Sequence, residues 1–148
     1  GRTGASVSLA WGLTANQVYG DVHIQSRKEE ENGIYTLEWE TFPYEKQQIP
    51  EKTYTKWFDY DKIRNSLSVR HRLQGDYLVV NQEGGRKKLK DYLIDCKIPR
   101  QERDKLTLLT DGSHILWVVG YRISEHYKVT SQTKQILKVQ VKGVEENE

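Results

Sequence analysis

The sequence holds few of the features that disulfide-stabilised, secreted or membrane-spanning proteins need. Its one cysteine, Cys96, excludes a disulfide within the chain. It has no apolar run long enough to cross a bilayer and no signal-peptide pattern at its start. We therefore predict a cytoplasmic protein without a membrane partner. We also predict that Cys96 is a buried thiol on the apolar face of a helix.

The motifs of a catalytic centre are missing as well. The four histidines are scattered and, with a single cysteine, give no zinc-ligand spacing. Residues 84–88 lack the spacing and the hydroxyl residue of a P-loop, and there is no nucleophile elbow. Asp59 and Asp61 share one face of a predicted strand, where helix capping or ion pairing is a commoner use than metal binding. We predict no catalytic residue, metal site or cofactor site here.

What the sequence does have is a basic middle. The 148 residues carry a formal net charge of only +2. Residues 64–105, however, hold eleven Lys and Arg against six Asp and Glu, while residues 1–63 are net negative and residues 106–148 are neutral. A localised basic region of this kind favours a polyanionic partner.

Four of these cations lie in residues 86–90, and apolar residues recur at helical spacing directly after them. The spacing predicts a helix from about Arg86 to Cys96. The cations would then oppose the helix dipole at the helix start, which an anionic partner would explain. A solvated helix end is the alternative, and charge alone leaves both open. The apolar positions are Leu89, Tyr92, Leu93 and Cys96.

Two further pairs of cations accompany this run. A period of two over residues 67–73 directs Leu73 inward with the other apolar side chains, and it places Arg70 and Arg72 side by side on the opposite face. Pro99 suits the start of a second short helix, from Pro99 to about Lys105, which carries Arg100 and Arg103 one turn apart.

Alternating polar and apolar residues predict antiparallel strands elsewhere. Asp111-Gly112 predicts a hairpin, and its second strand is apolar on both faces, which is typical of a central strand. The fold class is therefore α+β, mostly antiparallel β-sheet with a short helical hairpin. The predicted strands cover residues 7–11, 17–24, 34–40, 54–60, 67–73, 77–80, 106–109, 114–119 and 135–141.

A polar stretch with prolines near both ends, residues 43–52, predicts a linker or long loop. We accordingly divide the chain into a β-rich N-terminal portion at 1–53, a second unit at 54–143 and a frayed tail at 144–148.

Three motifs follow one another in the second unit: Lys87-Lys88-Leu89-Lys90, then Ile98-Pro99, then Leu116 to Arg122 with the sequence LWVVGYR. With this order and spacing, residues 54–141 resemble the C-terminal region of bacterial tRNA(Ile)-lysidine synthetase. Related domains occur in phenylalanyl-tRNA synthetase β chains. The resemblance therefore implies a β-rich module that handles RNA.

The resemblance also implies an activity for the parent protein. Members of the family are ATP-dependent ligases that join lysine to the wobble cytidine of tRNA(Ile). The Ser-Gly-Gly-x-Asp-Ser pyrophosphatase loop of their catalytic domain is absent here, so this chain is similar to the tRNA-binding C-terminal part. We expect further domains upstream, with ATP and Mg bound in the missing catalytic domain and no cofactor in this chain.

The implied partners are the acceptor stem of tRNA(Ile) and the protein's own N-terminal catalytic domain. The alternative is an interdomain docking or homodimerisation module that makes no RNA contact, and an independent enzyme is the third interpretation. The predicted RNA-binding residues are Arg70, Arg72, Arg86, Lys87, Lys88, Lys90, Arg100 and Arg103.

Overall fold

The computed structural model describes residues 6–9 and 34–144. Four strands of this part form one sheet: β1 (Ser6–Leu9), β2 (Leu37–Pro43), β3 (Thr55–Asp59) and β9 (Gln135–Val141). The sheet is fully antiparallel and has the order β1-β2-β9-β3. Its register places Trp39 opposite Val139 and Phe58 opposite Leu137.

A second sheet consists of β4 (Leu67–Arg70), β5 (Tyr77–Val79), β6 (Arg86–Lys88), β7 (Leu108–Asp111) and β8 (His114–Val118). These strands have the order β4-β7-β8-β5-β6. The pairs are antiparallel except for β5 and β8, which are parallel and meet at Tyr77 and His114. The predicted Asp111-Gly112 hairpin joins β7 to β8, and β8 is central, as expected.

The helical structure in the described residues is short. Helix α1 covers Leu89–Asp95 and helix α2 covers Arg100–Arg103, with single 3-10 turns at Tyr60–Lys62 and Glu125–Tyr127. The predicted α+β class is therefore confirmed. No helix in this part of the chain is long and apolar enough to span a membrane.

Two hydrophobic cores hold these elements in place. The first joins the two sheets, with Phe58, Trp117 and Leu137 fully buried in it. The second lies between β5, β8 and helix α1, and it buries Leu78 and Leu93. Burying one such side chain contributes about 1.5–3 kcal/mol. The second core therefore fixes the position of the basic segment that directly precedes α1.

The prediction that residues 86–90 begin a helix is wrong for residues 86–88. They form β6, whose Lys87 is opposite Leu78 of β5. The positive φ of Gly84, 88°, lets the chain reverse, and the Val80 N–H donates to the Gly85 carbonyl oxygen at 2.9 Å. Strand pairing thus overrides the helical periodicity, and the helix begins only at Leu89.

Cys96 is exposed, so the prediction of a buried thiol is wrong. Helix α1 ends before it in a Schellman motif. The Ile98 N–H donates to Leu93 O at 3.2 Å, the Lys97 N–H donates to Ile94 O at 2.9 Å, and Lys97 takes a φ of 58°. The chain therefore turns back with Ile98 in the core and leaves Cys96 outside.

The strand predicted over residues 67–73 ends at Arg70. Leu73 is 61% exposed rather than inward-facing, because a turn through Gly75 begins there. The Leu73 N–H donates to an Asp76 carboxylate oxygen at 2.8 Å, and this bond closes the turn. The turn leaves Leu73 at the surface.

The predicted strand at residues 17–24 and most of the predicted tail lie outside the described residues. The division at residue 53 stays a prediction. Strands from both sides of it belong to one sheet, since β2 pairs with β9 over seven residue pairs and β9 pairs with β3 over five.

Candidate nucleic-acid interface

A groove of about 520 Å³ lies where the turn after β4 meets the start of α1 and the end of α2. The backbone fastens these segments together, because the Leu89 N–H donates to the Asp76 carbonyl oxygen at 2.9 Å. The groove is therefore built on hydrogen-bonded secondary structure. Its charged lining residues are Arg72, Asp76, Lys88, Lys90 and Asp104.

Lys88 and Lys90 supply exposed positive charge to the groove. Neither ammonium group forms an ion pair with a carboxylate of the described residues. Lys88 is the residue before helix α1, and its side chain lies on the same face of β6 as that of Arg86. These two lysines are therefore open to an anionic ligand.

Arg72 also lines the groove, but it has a partner. Its Nε donates to Asp104 Oδ1 at 2.7 Å. The hydrogen bond and charge of Arg72 lower the pKa of Asp104. Because the Asp104 side chain is 76% exposed, this ion pair contributes little to stability, and an anion can replace Asp104 at the guanidinium.

Arg70 does not lie beside Arg72 on an open face, so that part of the prediction is wrong. Its guanidinium makes a two-pronged ion pair with Asp76, with both N···O distances at 2.9 Å. It also donates to the carbonyl oxygens of His71 and Gly112 at 2.9 and 3.0 Å. The side chains of Arg70 and Asp76 are only 14% and 2% exposed. Arg70 therefore ties three chain segments together, and an RNA-binding role for it stays a prediction.

Three other predicted cations lie away from the groove lining. Lys87 is on the opposite face of β6 from Lys88 and forms an ion pair with Asp95 of α1. The Arg103 Nε donates to the Ile98 carbonyl oxygen at 2.9 Å. Arg100 is exposed on α2. The structure thus brings Arg72, Lys88 and Lys90 together and separates them from these three.

Arg86 belongs to a different surface, which the sequence did not predict. Its guanidinium carbon lies 4.3 Å from the centre of the Tyr77 ring. The Tyr77 ring stacks on His114 with centroids 4.7 Å apart, and His114 stacks on His126 with centroids 5.1 Å apart. We call these four side chains the histidine ladder. Tyr77 and His114 come together because β5 pairs in parallel with β8, a long-range contact without a local sequence signal.

The middle of the histidine ladder is held by a hydrogen-bonded serine. Ser124 Oγ accepts the Val79 N–H at 2.9 Å and lies 2.8 Å from His114 Nε2. The serine hydroxyl can therefore donate to an unprotonated Nε2. Burial, reinforced by the nearby His126, lowers the pKa of His114 to about 4, so its ring is neutral at physiological pH.

His126, at one exposed end of the histidine ladder, faces other cations. Partial burial lowers the pKa of His126, and the charges of Lys62, Arg64 and Arg86 lower it further. Asp111 opposes this shift from within the protein.

Asp111 is already engaged by three donors, so it is not available to these cations. Its carboxylate accepts the Tyr127 hydroxyl at 2.7 Å and the Arg64 and Asn65 N–H groups at 3.1 and 2.6 Å. Burial alone would raise the pKa of Asp111, but these hydrogen bonds outweigh it and lower the pKa. Asp111 therefore forms its hydrogen bonds inside the protein, and its charge opposes the cations around His126 only from that buried position.

Comparison with known proteins shows what this chain is similar to. The family model described as "TilS substrate C-terminal domain" matches residues 67–141. A tRNA(Ile)-lysidine synthase of Clostridium tetani is 36% identical over 168 residues, covering 100% of this chain and 36% of the relative. One of Caldanaerobacter subterraneus is 34% identical over 155 residues, covering 93% of this chain and 33% of the relative. This chain thus spans about a third of the length of these relatives.

A solved structure agrees with these similarities. A protein described as "Crystal structure of TILS C-terminal domain" superimposes with a TM-score of 0.58 at 30% sequence identity. The match covers 76% of this chain and 88% of that one.

Proposed function

Since this chain belongs to the TilS substrate C-terminal domain family, we propose that it is the part of a tRNA(Ile)-lysidine synthase that binds the acceptor stem of tRNA(Ile). The family resemblance read from the sequence is confirmed. In this proposal the parent is a cytoplasmic ligase, and a separate catalytic domain uses ATP and Mg to join lysine to the wobble cytidine. The chain itself performs no chemistry and holds the substrate.

The groove at the start of α1 is the observation that supports RNA binding most directly. An A-form stem hides its major-groove base edges, so a protein grips it through phosphates, 2′-hydroxyls and shape. Lys88 and Lys90 offer two exposed ammonium groups on a fixed strand and helix, and Arg72 adds a guanidinium across the groove. This arrangement suits a phosphate backbone.

We also propose separate roles for the predicted cations. Lys88 and Lys90 contribute affinity that depends on salt, because each phosphate contact releases condensed counterions. Arg72 exchanges Asp104 for a phosphate and fixes the register of the stem through its planar fork of donors. In this proposal Arg70 and Lys87 act through the fold, since both are paired with carboxylates of neighbouring segments.

A binding titration with a charge-matched control tests this proposal. The wild-type chain is titrated with tRNA(Ile) bearing a CAU anticodon, with its acceptor-stem minihelix and with an unrelated tRNA, at two salt concentrations. We expect salt-sensitive binding that the minihelix retains. Reversing both groove lysines, Lys88→Glu with Lys90→Glu, should abolish it, whereas reversing Lys46 and Lys134 in the loops of the first sheet should not.

Two results would contradict the proposal. One is an unchanged dissociation constant in the groove double variant at low salt, with the fold intact by circular dichroism. The other is a wild-type chain that binds none of the three RNAs at low salt. The second result would favour the interdomain docking or dimerisation alternative, in which the cations meet an acidic protein surface.

A further inference from the structure

The histidine ladder combines stacked rings with cations that have no internal use. Lys62 lines the same cavity as His126, and the charges of Lys62, Arg64 and Arg86 all lower the pKa of His126. None of the three cations forms an ion pair with a carboxylate of the described residues. Arg64 and Arg86 are exposed. Like charges gathered without ion-pair partners repel one another, so this arrangement is easier to explain if an anion docks there.

The stacking prepares Arg86 for such a ligand. With the guanidinium carbon 4.3 Å from the centre of the Tyr77 ring, the ring restricts the side chain. The five N–H donors of a guanidinium lie in its plane. A phosphate at the edge of that plane can accept two of them, and the ordering cost has already been met in the free protein.

His126 presents an exposed imidazole on this surface, and burial and the surrounding cations lower its pKa. The charged groups that face it are Lys62, Arg64, Arg86 and the buried Asp111. The ring of His114, which stacks on it, is neutral. On its own turn, Glu125 is already paired with Arg122 and Lys128. A phosphate placed among these cations would stabilise the protonated imidazole, so binding would take up a proton from solvent.

We propose that the histidine ladder, together with the neighbouring Arg64, is a second RNA contact, separate from the groove, at which Arg64, Arg86 and His126 bind phosphates of the tRNA backbone. This inference rests on the proposed function, because it takes tRNA as the partner. Lys88 lines the groove together with Lys90, and its side chain lies on the same face of β6 as that of Arg86. The edge strand β6 therefore connects the two surfaces, and one RNA can reach both.

The test compares ladder variants with groove variants on intact tRNA(Ile). We expect Arg64→Ala and Arg86→Ala each to weaken binding about tenfold, as for loss of a hydrogen bond to a charged group. Arg86→Lys should recover little, since an ammonium cannot reproduce the stacked fork. Lys134→Ala is the control, and thermal unfolding should show that every variant folds.

The pH dependence gives a readout that a purely structural role would not move. Wild-type affinity should rise about threefold as the pH falls from 7.5 to 6.0, and His126→Gln should flatten this rise. A pH profile that His126→Gln leaves unchanged would overturn the assignment of His126.

Failure of this inference and failure of the proposed function look different. If Lys88→Ala with Lys90→Ala weakens binding while Arg64→Ala and Arg86→Ala do not, the groove stands as the RNA site and the second contact is refuted. If the wild-type chain binds no RNA at low salt, both are refuted.

Discussion

The groove and the histidine ladder are both basic, but they hold their cations in different ways. In the groove, Arg72 has an exposed partner in Asp104, and Arg70 beneath it is bound by the buried Asp76. At the ladder, Lys62, Arg64 and Arg86 form no ion pair with a carboxylate of the described residues, and the nearby Asp111 bonds to three donors inside the protein instead. The number of Lys and Arg residues is thus a poor measure of the charge that a ligand meets, because internal pairing decides how much is left.

The largest effect should come from the buried pair beneath the groove. Arg70→Met leaves the Asp76 carboxylate buried without its partner, so we expect the free energy of unfolding to fall by about 3 kcal/mol. Urea denaturation measures this. The matched change at the exposed pair, Arg72→Met, should leave stability nearly unchanged. An Arg70 variant that kept full stability and lost only RNA affinity would show that Arg70 binds RNA and does not stabilise the fold.

The second-largest effect is a pH dependence of the free energy of unfolding that arises at the ladder and not at the groove. The unfolded state binds more protons between the ordinary histidine pKa of about 6.5 and the folded His114 value of about 4. Stability should therefore fall as the pH drops from 7 to 5, by on the order of 1–2 kcal/mol given that the ring is only half-buried. Urea midpoints across this range measure it, and His114→Gln should flatten the profile. Equal slopes in both proteins would contradict the assignment.

A smaller effect tests whether Asp104 competes with the ligand. Asp104→Asn frees the Arg72 guanidinium and removes a negative charge from the groove, so we expect affinity for the minihelix to rise roughly threefold. Fluorescence titration at low salt detects such a change. Weaker binding in this variant would mean that Asp104 positions Arg72 for the RNA instead of competing for it.

The smallest effect concerns a cation that the sequence places in the same run as the groove lysines. Lys87→Ala should change RNA affinity by less than about twofold, because its ammonium is paired with Asp95 on the helix side of β6. The same titration measures it beside Lys88→Ala. An equal loss of RNA affinity in both variants would show that Lys87 contributes as much as Lys88, although the two side chains lie on opposite faces of β6.

Local patterns predicted much of the fold. Alternation located β2, β4 and β9, and Asp111-Gly112 located the β7–β8 hairpin, because both signals lie within a few residues. The start of α1 was misplaced because the pairing of β6 with β5 is a tertiary choice that helical periodicity does not register. The exposure of Cys96 was missed because Lys97 takes a backbone conformation usually reserved for glycine.

The candidate site was predicted less completely than the fold. The run at residues 86–90 located the groove lysines, but the carboxylate partners of Arg70, Arg72 and Lys87 lie 6 to 32 residues away in sequence. Tyr77 and His114 come together through the parallel contact of β5 with β8, and the pairing of β5 with β6 and the 3-10 turn at Glu125–Tyr127 add Arg86 and His126. Sequence patterns report period and composition, whereas pairing between side chains depends on the folded chain.

The most direct test of RNA binding through unpaired groove cations is the salt dependence of minihelix affinity. The slope of log K against log salt concentration is measured for the wild-type chain, for Lys88→Ala with Lys90→Ala, and for Lys87→Ala. We predict that the double variant lowers the magnitude of the slope by about 2, one for each lost phosphate contact, and that Lys87→Ala leaves it unchanged. A double variant with the wild-type slope would contradict the assignment of these two lysines to RNA.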